Sequence, residues 1–382
     1  MNSLFKRKIN LLKILKNNSF FLFGPRSTGK SFWIKKTLSK DVLYINLLSA
    51  GTLLKLEENP EFLEQMMDIN NYKLCVIDEI QKIPKLLDEV HRLIEDRDFK
   101  FMLTGSSARK LKRNFANLLG GRASQISFFP LCFSEIPQFD LEKHLLFGGI
   151  PRIYNSKNPS HQLADYIQLY LEQEIQIEAN LRQLGPFQRF LKTAALNSSE
   201  MLQYTNISSD AGVPLTTVKE YYRILEDTLI GATLEPWIES KKRKAIQTAK
   251  FYFFDNGVQN ALLGINTIDR NSDYWGKLFE NFILIEIKAY NSYQQKNKKI
   301  YYWRSVNKQE VDFIVDPILA IKVKSTKKIT EKHLAGLMAL REENLIEKFI
   351  IISNDPISRL YDGISIIPWQ VFIKNLWSGK YF

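Results

Sequence analysis

Eight consecutive residues, Gly24-Pro25-Arg26-Ser27-Thr28-Gly29-Lys30-Ser31, have types and spacing suited to one kind of chemistry. Glycines bound a loop whose backbone N–H groups can turn inward on phosphate oxygens, and a helix starting at its end favours negative charge. Lys30 is placed to reach the β and γ phosphates of a nucleoside triphosphate, and the Ser31 hydroxyl to hold Mg²⁺. Further along, Asp78-Glu79 follows the apolar run Leu74-Cys75-Val76-Ile77. Asp78 would bind Mg²⁺ through water, and Glu79 would orient or deprotonate an attacking water. ATP and Mg²⁺ are the cofactors expected.

A third run, Phe99 to Leu103, ends in Thr104-Gly105-Ser106-Ser107. Hydroxyls there, Thr104 or Ser106, could sense the γ-phosphate; alternatively Ser106 or Ser107 caps a helix beginning near Ala108. Arg122, after two glycines, could stabilise transition-state charge, or make a structural ion pair or surface contact.

These groups need elements to hold them. Phe20-Phe21-Leu22-Phe23 reads as a buried strand before the loop, and Phe32 to Leu38 as the helix after it. Val42 to Asn46, Lys73 to Ile77 and Phe99 to Leu103 read as further strands, with helical material up to about Asp68 and from Pro84 to Glu95. Alternating strands and helices imply a parallel sheet whose ligands gather at the strands' carboxyl ends.

With these stretches, Val76-Ile77-Asp78-Glu79-Ile80-Gln81-Lys82-Ile83-Pro84, Leu103-Thr104-Gly105-Ser106-Ser107, Leu119-Gly120-Gly121-Arg122, Phe129-Pro130-Leu131-Cys132-Phe133-Ser134-Glu135 and Gly148-Gly149-Ile150-Pro151-Arg152 make the chain resemble the prokaryotic AAA-type P-loop ATPases with a nuclease-like C-terminal domain. The resemblance runs over nearly the whole chain. It implies an ATP-binding core and hydrolysis, with no physiological role assigned to the family.

Length and composition set outer bounds. At 382 residues the chain exceeds what one core usually serves, so two or three domains are expected. Its 45% hydrophobic and 25% charged residues are those of a soluble globular protein. No apolar run approaches the ~18 residues that span a bilayer. Met1 to Lys16 reads as a basic amphipathic helix, either docked on the first domain or resting on a membrane surface. Cys75 and Cys132 are the only cysteines, which points to a reducing compartment, the cytoplasm. A net charge of +12 favours an anionic partner such as DNA.

In the middle of the chain, Pro159 to Leu184 reads as a long helix. Glu172, Glu174 and Glu178 lack a matched ligand set and are read as its solvated face. Pro186 to Asn197, Asn206 to Ala211 and Thr216 to Asp227 then give three helices, the last two joined by Gly212-Val213-Pro214, with Leu229 to Leu234 as a following wing strand. The third helix would turn Thr216, Thr217, Lys219, Glu220 and Arg223 outward. Lys219 and Arg223 suit phosphates and Glu220 repels them, so DNA contact and protein contact both stand. Lys241-Lys242-Arg243-Lys244 adds positive charge.

Lys250 to Phe254 reads as a strand and Tyr274 to Tyr290 as an amphipathic helix carrying Glu280 and Glu286. Strands follow at Lys299 to Arg304, Glu310 to Val315 and Ile318 to Lys324. This order resembles the core of restriction-endonuclease-like nucleases, which hold Mg²⁺ with an Asp on one strand and the Glu of a Glu-x-Lys on the next. Asp312 and Lys324 match that pattern and Glu280 can stand for an acid on the helix, but Lys322 stands where the second carboxylate belongs. A lysine repels a divalent ion and, when charged, offers no lone pair, so the site reads as degenerate. Lys322, Lys324, Lys327 and Lys328 could instead form a basic surface, with Tyr301, Tyr302 and Trp303 either stacking on bases or packing in the core.

The expected architecture is α/β: a P-loop parallel-sheet ATPase domain at 1–155, a helical and winged-helix segment at 156–245, and a restriction-endonuclease-like α/β domain at 246–382. The expected function is Mg²⁺-dependent ATP hydrolysis controlling the attached modules. A nucleotide-gated adaptor or DNA-binding regulator is the alternative, and an active nuclease a third reading. DNA, protein partners and a second copy of the chain are the candidate partners.

Overall fold

A computed structural model describes residues 5–105, 123–175 and 183–382. Ser106, Ser107, Arg122 and Glu178 lie outside the described residues. The first helix, α1 (Leu11–Asn17), is shorter than the amphipathic stretch suggests, and Leu11, Ile14 and Leu15 are buried in it. They enter a core with Phe20, Leu22, Trp33 and Ile34, so this apolar face is docked on the first sheet.

That sheet follows from alternation. Strand β1 (Ser19–Phe23) leads to helix α2 (Lys30–Thr37) and strand β2 (Val42–Asn46); α3 (Ala50–Glu58) and α4 (Phe62–Ile69) precede β3 (Leu74–Asp78); α5 (Leu86–Arg97) precedes β4 (Lys100–Gly105); and β5 (Ala123–Ser127) completes it. The order is β2-β3-β4-β1-β5, and every pairing is parallel. Side chains alternate between two cores, as a strand's period of two requires. Phe21, Phe23, Cys75, Ile77, Phe101 and Leu103 face α3–α5, whereas Phe20, Leu22, Val76 and Met102 face α1 and α2. With both faces covered, continuous apolar runs such as Phe20-Phe21-Leu22-Phe23 are what such strands look like in sequence.

The chain continues through α6 (Leu141–Phe147), the short α7 (Pro151–Tyr154) and α8 (Pro159–Tyr166), which runs on as a π-helix over Ile167–Glu174. Helices α9 (Leu184–Leu196), α10 (Tyr204–Ala211) and α11 (Leu215–Asp227) then share one core built on Phe187, Phe190, Tyr222 and Leu225. Thr216, Lys219, Glu220 and Arg223 are exposed on α11 and Thr217 is half-buried, while Val218 and Tyr221 point inward. Strand β6 (Gly231–Leu234) pairs antiparallel with β7 (Lys250–Phe253), and Phe251 and Phe253 enter the helical core. The pair thus joins residues 231–234 to residues 250–253.

The remainder comprises α12 (Asn256–Leu262), α13 (Asp273–Tyr293), β8 (Ile300–Arg304), β9 (Glu310–Val315), β10 (Leu319–Lys324), α14 (Glu331–Arg341), β11 (Lys348–Ser353), β12 (Arg359–Tyr361), β13 (Ile364–Pro368) and α15 (Trp369–Trp377). Its six strands form a mixed sheet, β12-β13-β11-β10-β9-β8. Helices α13 and α15 cover one face and α14 the other. Tyr302 and Trp303 are fully buried, which takes them out of any base-stacking surface. The basic run at 241–244 is pinned to the end of α14: Glu343 accepts from the backbone N–H groups of Lys241 and Lys242 at 2.8 and 2.9 Å, and Arg243 pairs with Glu342 at 2.7 Å.

The first and last parts meet along α13. Ser127 N donates to Ser292 Oγ at 2.9 Å, and Phe129 N to Tyr293 Oη at 3.0 Å. Arg7 donates to Tyr293 at 2.9 Å and pairs with Glu135 at 3.3 Å, in a joint closed to water. Glu286 accepts from Phe133 N at 2.5 Å and Trp377 Nε1 at 2.9 Å.

Candidate functional site

The loop between β1 and α2 takes its shape from Gly29, whose φ of +89° is left-handed and permits the sharp entry into α2. Thr28 Oγ1 donates to Pro25 O at 2.8 Å and tightens the turn from inside. Lys30, the first residue of α2, is 6% exposed. Its Nζ folds back onto the loop, donating to Gly24 O and, at 2.9 Å, to Pro25 O. Burial lowers the Lys30 pKa to about 8 against the pull of Glu79 and Asp78, and Arg26 lowers it further. A phosphate entering the loop would give this ammonium a stronger partner than two carbonyls.

Asp78 ends β3 and is buried. Its Oδ1 accepts from Thr104 Oγ1, and its Oδ2 accepts from Tyr44 Oη at 2.6 Å. The next residue, Glu79, has φ +65° and leaves the strand at once, its N–H donating to Thr104 Oγ1 at 3.3 Å. Thr104 thus bridges both acidic positions from the neighbouring strand. Gln81 Nε2 donates to Glu79 Oε2.

Arg26, Ser27, Gly29, Lys30, Ser31 and Glu79 line a cavity of about 820 Å³ at the carboxyl ends of β1 and β3. That volume falls within the ~300–1,000 Å³ range of small-molecule sites. The donor set suits a nucleotide with its cation: loop N–H groups and Lys30 could hold phosphates, Ser31 and the buried Asp78 could hold Mg²⁺, and Glu79 lines the same cavity as Lys30 and Ser31.

A neighbouring cavity of about 300 Å³ joins Arg26 and Ser27 to Ile150, Arg152, Tyr166 and Tyr170. The guanidinium of Arg26 lies 5.4 Å from the Tyr170 ring centre. The Pro151 ring is 3.7 Å from the point a Cβ on Gly29 would occupy. Arg152 therefore stands beside the phosphate loop, a role the sequence pattern had not assigned; the signal was the Gly148-Gly149 pair before Pro151. Asp255, remote in sequence, holds this segment: its Oδ2 accepts from Gly149 N at 2.7 Å and its Oδ1 from Val258 N at 3.1 Å. Gly148 has no room for a Cβ, which would collide with the Asp255 carboxylate. Burial pushes Asp255 up to about 6 despite these hydrogen bonds.

The C-terminal carboxylates also converge, with cations already among them. Lys322 Nζ is 2.5 Å from Asp312 Oδ1 and 4.0 Å from Glu310, and Asp312 Oδ2 accepts from Val323 N at 2.6 Å. Lys250 lies 2.9 Å from Glu310 and 3.7 Å from Glu280, whose other contact is Tyr252 Oη at 2.6 Å. Burial opposes charge on Lys322, but Asp312, Glu310 and Glu280 more than offset it and hold its pKa above the ordinary lysine value. Lys322 is mostly enclosed, so it does not extend a basic surface with Lys327 and Lys328. Lys324, at the end of β10, is half-buried and belongs to no ion pair among the described residues. No group of three or more potential metal-ligating residues occurs among the described residues.

Residues 16–137 match the family described as an AAA domain, residues 138–269 a domain of unknown function (DUF8612), and residues 275–372 another (DUF4143). The first match implies ATP binding. An uncharacterized protein of Methanocaldococcus jannaschii, MJ1544, is 23% identical over 336 residues, covering 80% of this chain and 73% of that protein. An uncharacterized protein of Haemophilus influenzae is 23% identical over 334 residues, covering 78% of this chain and 80% of that protein. No helix among the described residues is long and apolar enough to cross a membrane.

Proposed function

We propose that this chain is a Mg²⁺-dependent ATPase of the cytoplasm whose nucleotide state is read by the helical segment and the C-terminal α/β part. The observation that carries the proposal is that Lys30, Ser31 and Glu79 line one cavity, with Asp78 fixed behind it by Thr104 and Tyr44. When bound, Mg²⁺ would supply neutralisation of the phosphate charge. Lys30 holds the β and γ phosphates, Ser31 and Asp78 hold the cation, and Glu79 takes or directs the proton of the attacking water. Thr104 fixes the Asp78 carboxylate and the Glu79 backbone, and Pro151 and Arg152 bring the middle of the chain against the loop.

Phosphate release by wild type and Glu79→Gln tests this: the variant should bind ATP and lose turnover by ~10²- to 10⁴-fold. ATP binding without phosphate release in wild type would make the chain a nucleotide-gated adaptor.

The partner we propose for the outer face of α11 is DNA, met through Thr216, Lys219 and Arg223, and its affinity should fall steeply with salt. Absence of binding at low salt would leave protein contact as the role of that face. Metal-dependent cleavage is not part of the proposal, because Lys322 occupies the carboxylate that a divalent ion would need.

A further inference from the structure

A second cleft, of about 220 Å³, shares no lining residue with the nucleotide cavity. Gly24 and Pro25 meet there with Phe128 and Phe129 after β5, with Phe253 of the β6–β7 pair, and with one face of α13. Its walls are largely aromatic and aliphatic, and Lys288 is the single charged side chain among its described lining residues. Glu226, the carboxylate that acts on Lys288, accepts hydrogen bonds from Thr233 N at 3.0 Å and Thr233 Oγ1 at 2.7 Å. Burial accordingly lowers Lys288 to about 8, with Glu226 opposing.

Two turns earlier on α13, Asn281 lines the same cleft. Its Nδ2 donates to Phe253 O at 3.0 Å and Asn256 Oδ1 at 2.8 Å, while its buried Oδ1 has no hydrogen-bond partner among the described residues. A buried acceptor without a donor is uncommon and costly in a folded protein. The cleft is thus lined by a cation, by a residue with an unused acceptor two helical turns away, and by apolar walls.

We infer that this cleft is a second ligand site, for a small aromatic carboxylate carrying a hydrogen-bond donor at the end opposite its carboxylate. An apolar cavity of ~150 Å³ takes a benzene ring, so this one has room for a ring with two small substituents. Seven residues of helix rise about 10 Å. Side chains on a helix lean toward its N-terminus, which brings the Lys288 ammonium back toward Asn281. The carboxylate meets Lys288, and the donor meets Asn281 Oδ1.

The site has a mechanical connection to the phosphate loop. Gly24 and Pro25 form part of its lining, and their carbonyls are the groups that hold Lys30 Nζ. An occupant braces that backbone and changes the affinity of the loop for nucleotide. This coupling rests on the ATPase reading; the ligand site does not.

Calorimetry on the full chain without nucleotide, titrated with 4-hydroxybenzoate, tests the site. Saturable binding at one site is expected, with 4-hydroxybenzamide weaker by ~10- to 100-fold because it cannot pair with an ammonium. Benzoate, lacking the donor, should also bind more weakly, and Lys288→Met should lose affinity as the amide does. Absence of saturable binding, or equal binding of acid and amide by wild type, overturns the inference even if Lys288→Met fails to fold. ATP titrations with and without 4-hydroxybenzoate then separate the two readings. Carboxylate binding with an unchanged ATP affinity refutes the coupling, whereas carboxylate binding by a protein that never binds ATP refutes the ATPase reading and leaves the site standing.

Discussion

Lys322 Nζ sits 2.5 Å from Asp312 Oδ1, on adjacent antiparallel strands with Ile321 opposite Phe313. The pair is nearly closed to solvent, with side-chain exposures of 13% and 1%. Removing one partner of a buried ion pair leaves the other charge stranded, at a cost of about 3–5 kcal/mol. Lys322→Met should destabilise the C-terminal part by that order in chemical denaturation. The double variant Lys322→Met/Asp312→Leu should recover only part of the loss, since it leaves no stranded Asp312 charge but deprives the buried Val323 N–H of its acceptor. A single variant as stable as wild type would mean that Asp312 finds another cation.

Nucleotide affinity should depend on pH through Lys30. Its pKa is lowered to about 8 in the free protein, and a bound phosphate would raise it. Below about pH 8 the ammonium is already formed and affinity should be flat. Above it, binding must take up a proton, so affinity should weaken by up to ~10-fold per pH unit. Fluorescent-nucleotide titrations from pH 6.5 to 9.5 measure this, and Lys30→Met should abolish both the affinity and its slope.

Arg152 lines the cavity that opens onto Arg26 and Ser27. Arginines that stabilise phosphoryl-transfer charge contribute ~10³- to 10⁵-fold to turnover. Arg152→Ala should lower kcat by at least ~10-fold while leaving ATP affinity within a few-fold. Unchanged turnover at saturating ATP would assign the residue to packing alone.

Asp255 touches neither cavity yet fastens Gly149, and through it Pro151, against the loop. Asp255→Ala leaves buried N–H groups unmatched, each worth about 1–3 kcal/mol. The variant should lose stability by at least ~2 kcal/mol and bind nucleotide more weakly, whereas a surface change such as Asp269→Ala should do neither. Thermal unfolding and nucleotide titration on the same samples check the pairing of the two effects.

His144 gives a stability-versus-pH signature. It is 3% exposed, its Nε2 lies 3.0 Å from Leu131 O, and burial lowers its pKa to about 4. The unfolded chain takes up a proton near pH 6.5 and the folded chain only near 4. Stability is therefore fully present above pH 6.5 and falls on acidification between those values, by up to ~1.4 kcal/mol per pH unit. Unfolding curves at pH 7, 5.5 and 4.5 should show a shallower loss in His144→Gln than in wild type.

The elements around the phosphate loop were legible because their signals are local. A buried strand of a parallel sheet is apolar along its whole length, as Phe20–Phe23 and Cys75–Ile77 are, and the glycine-bounded loop declares its backbone demands within eight residues. The charge on Lys322 was legible in the same way, as a cation where an anion was expected. What that cation touches was not: Glu310 and Asp312 become its neighbours only through strand register, and Lys250 joins them from a strand that pairs with β6.

Sequence by itself determined the loop, its Lys30–Ser31 pair, the Asp78-Glu79 strand end and the alternation of strands and helices in the first sheet, since each depends on residues a few positions apart. Tertiary structure alone decided that Thr104 and Tyr44 clasp Asp78, that Pro151 and Arg152 stand beside Gly29, and that Tyr302 and Trp303 are core rather than surface. Those facts depend on which distant segments pack together to bury apolar area and match buried polar groups, and no local pattern carries that information.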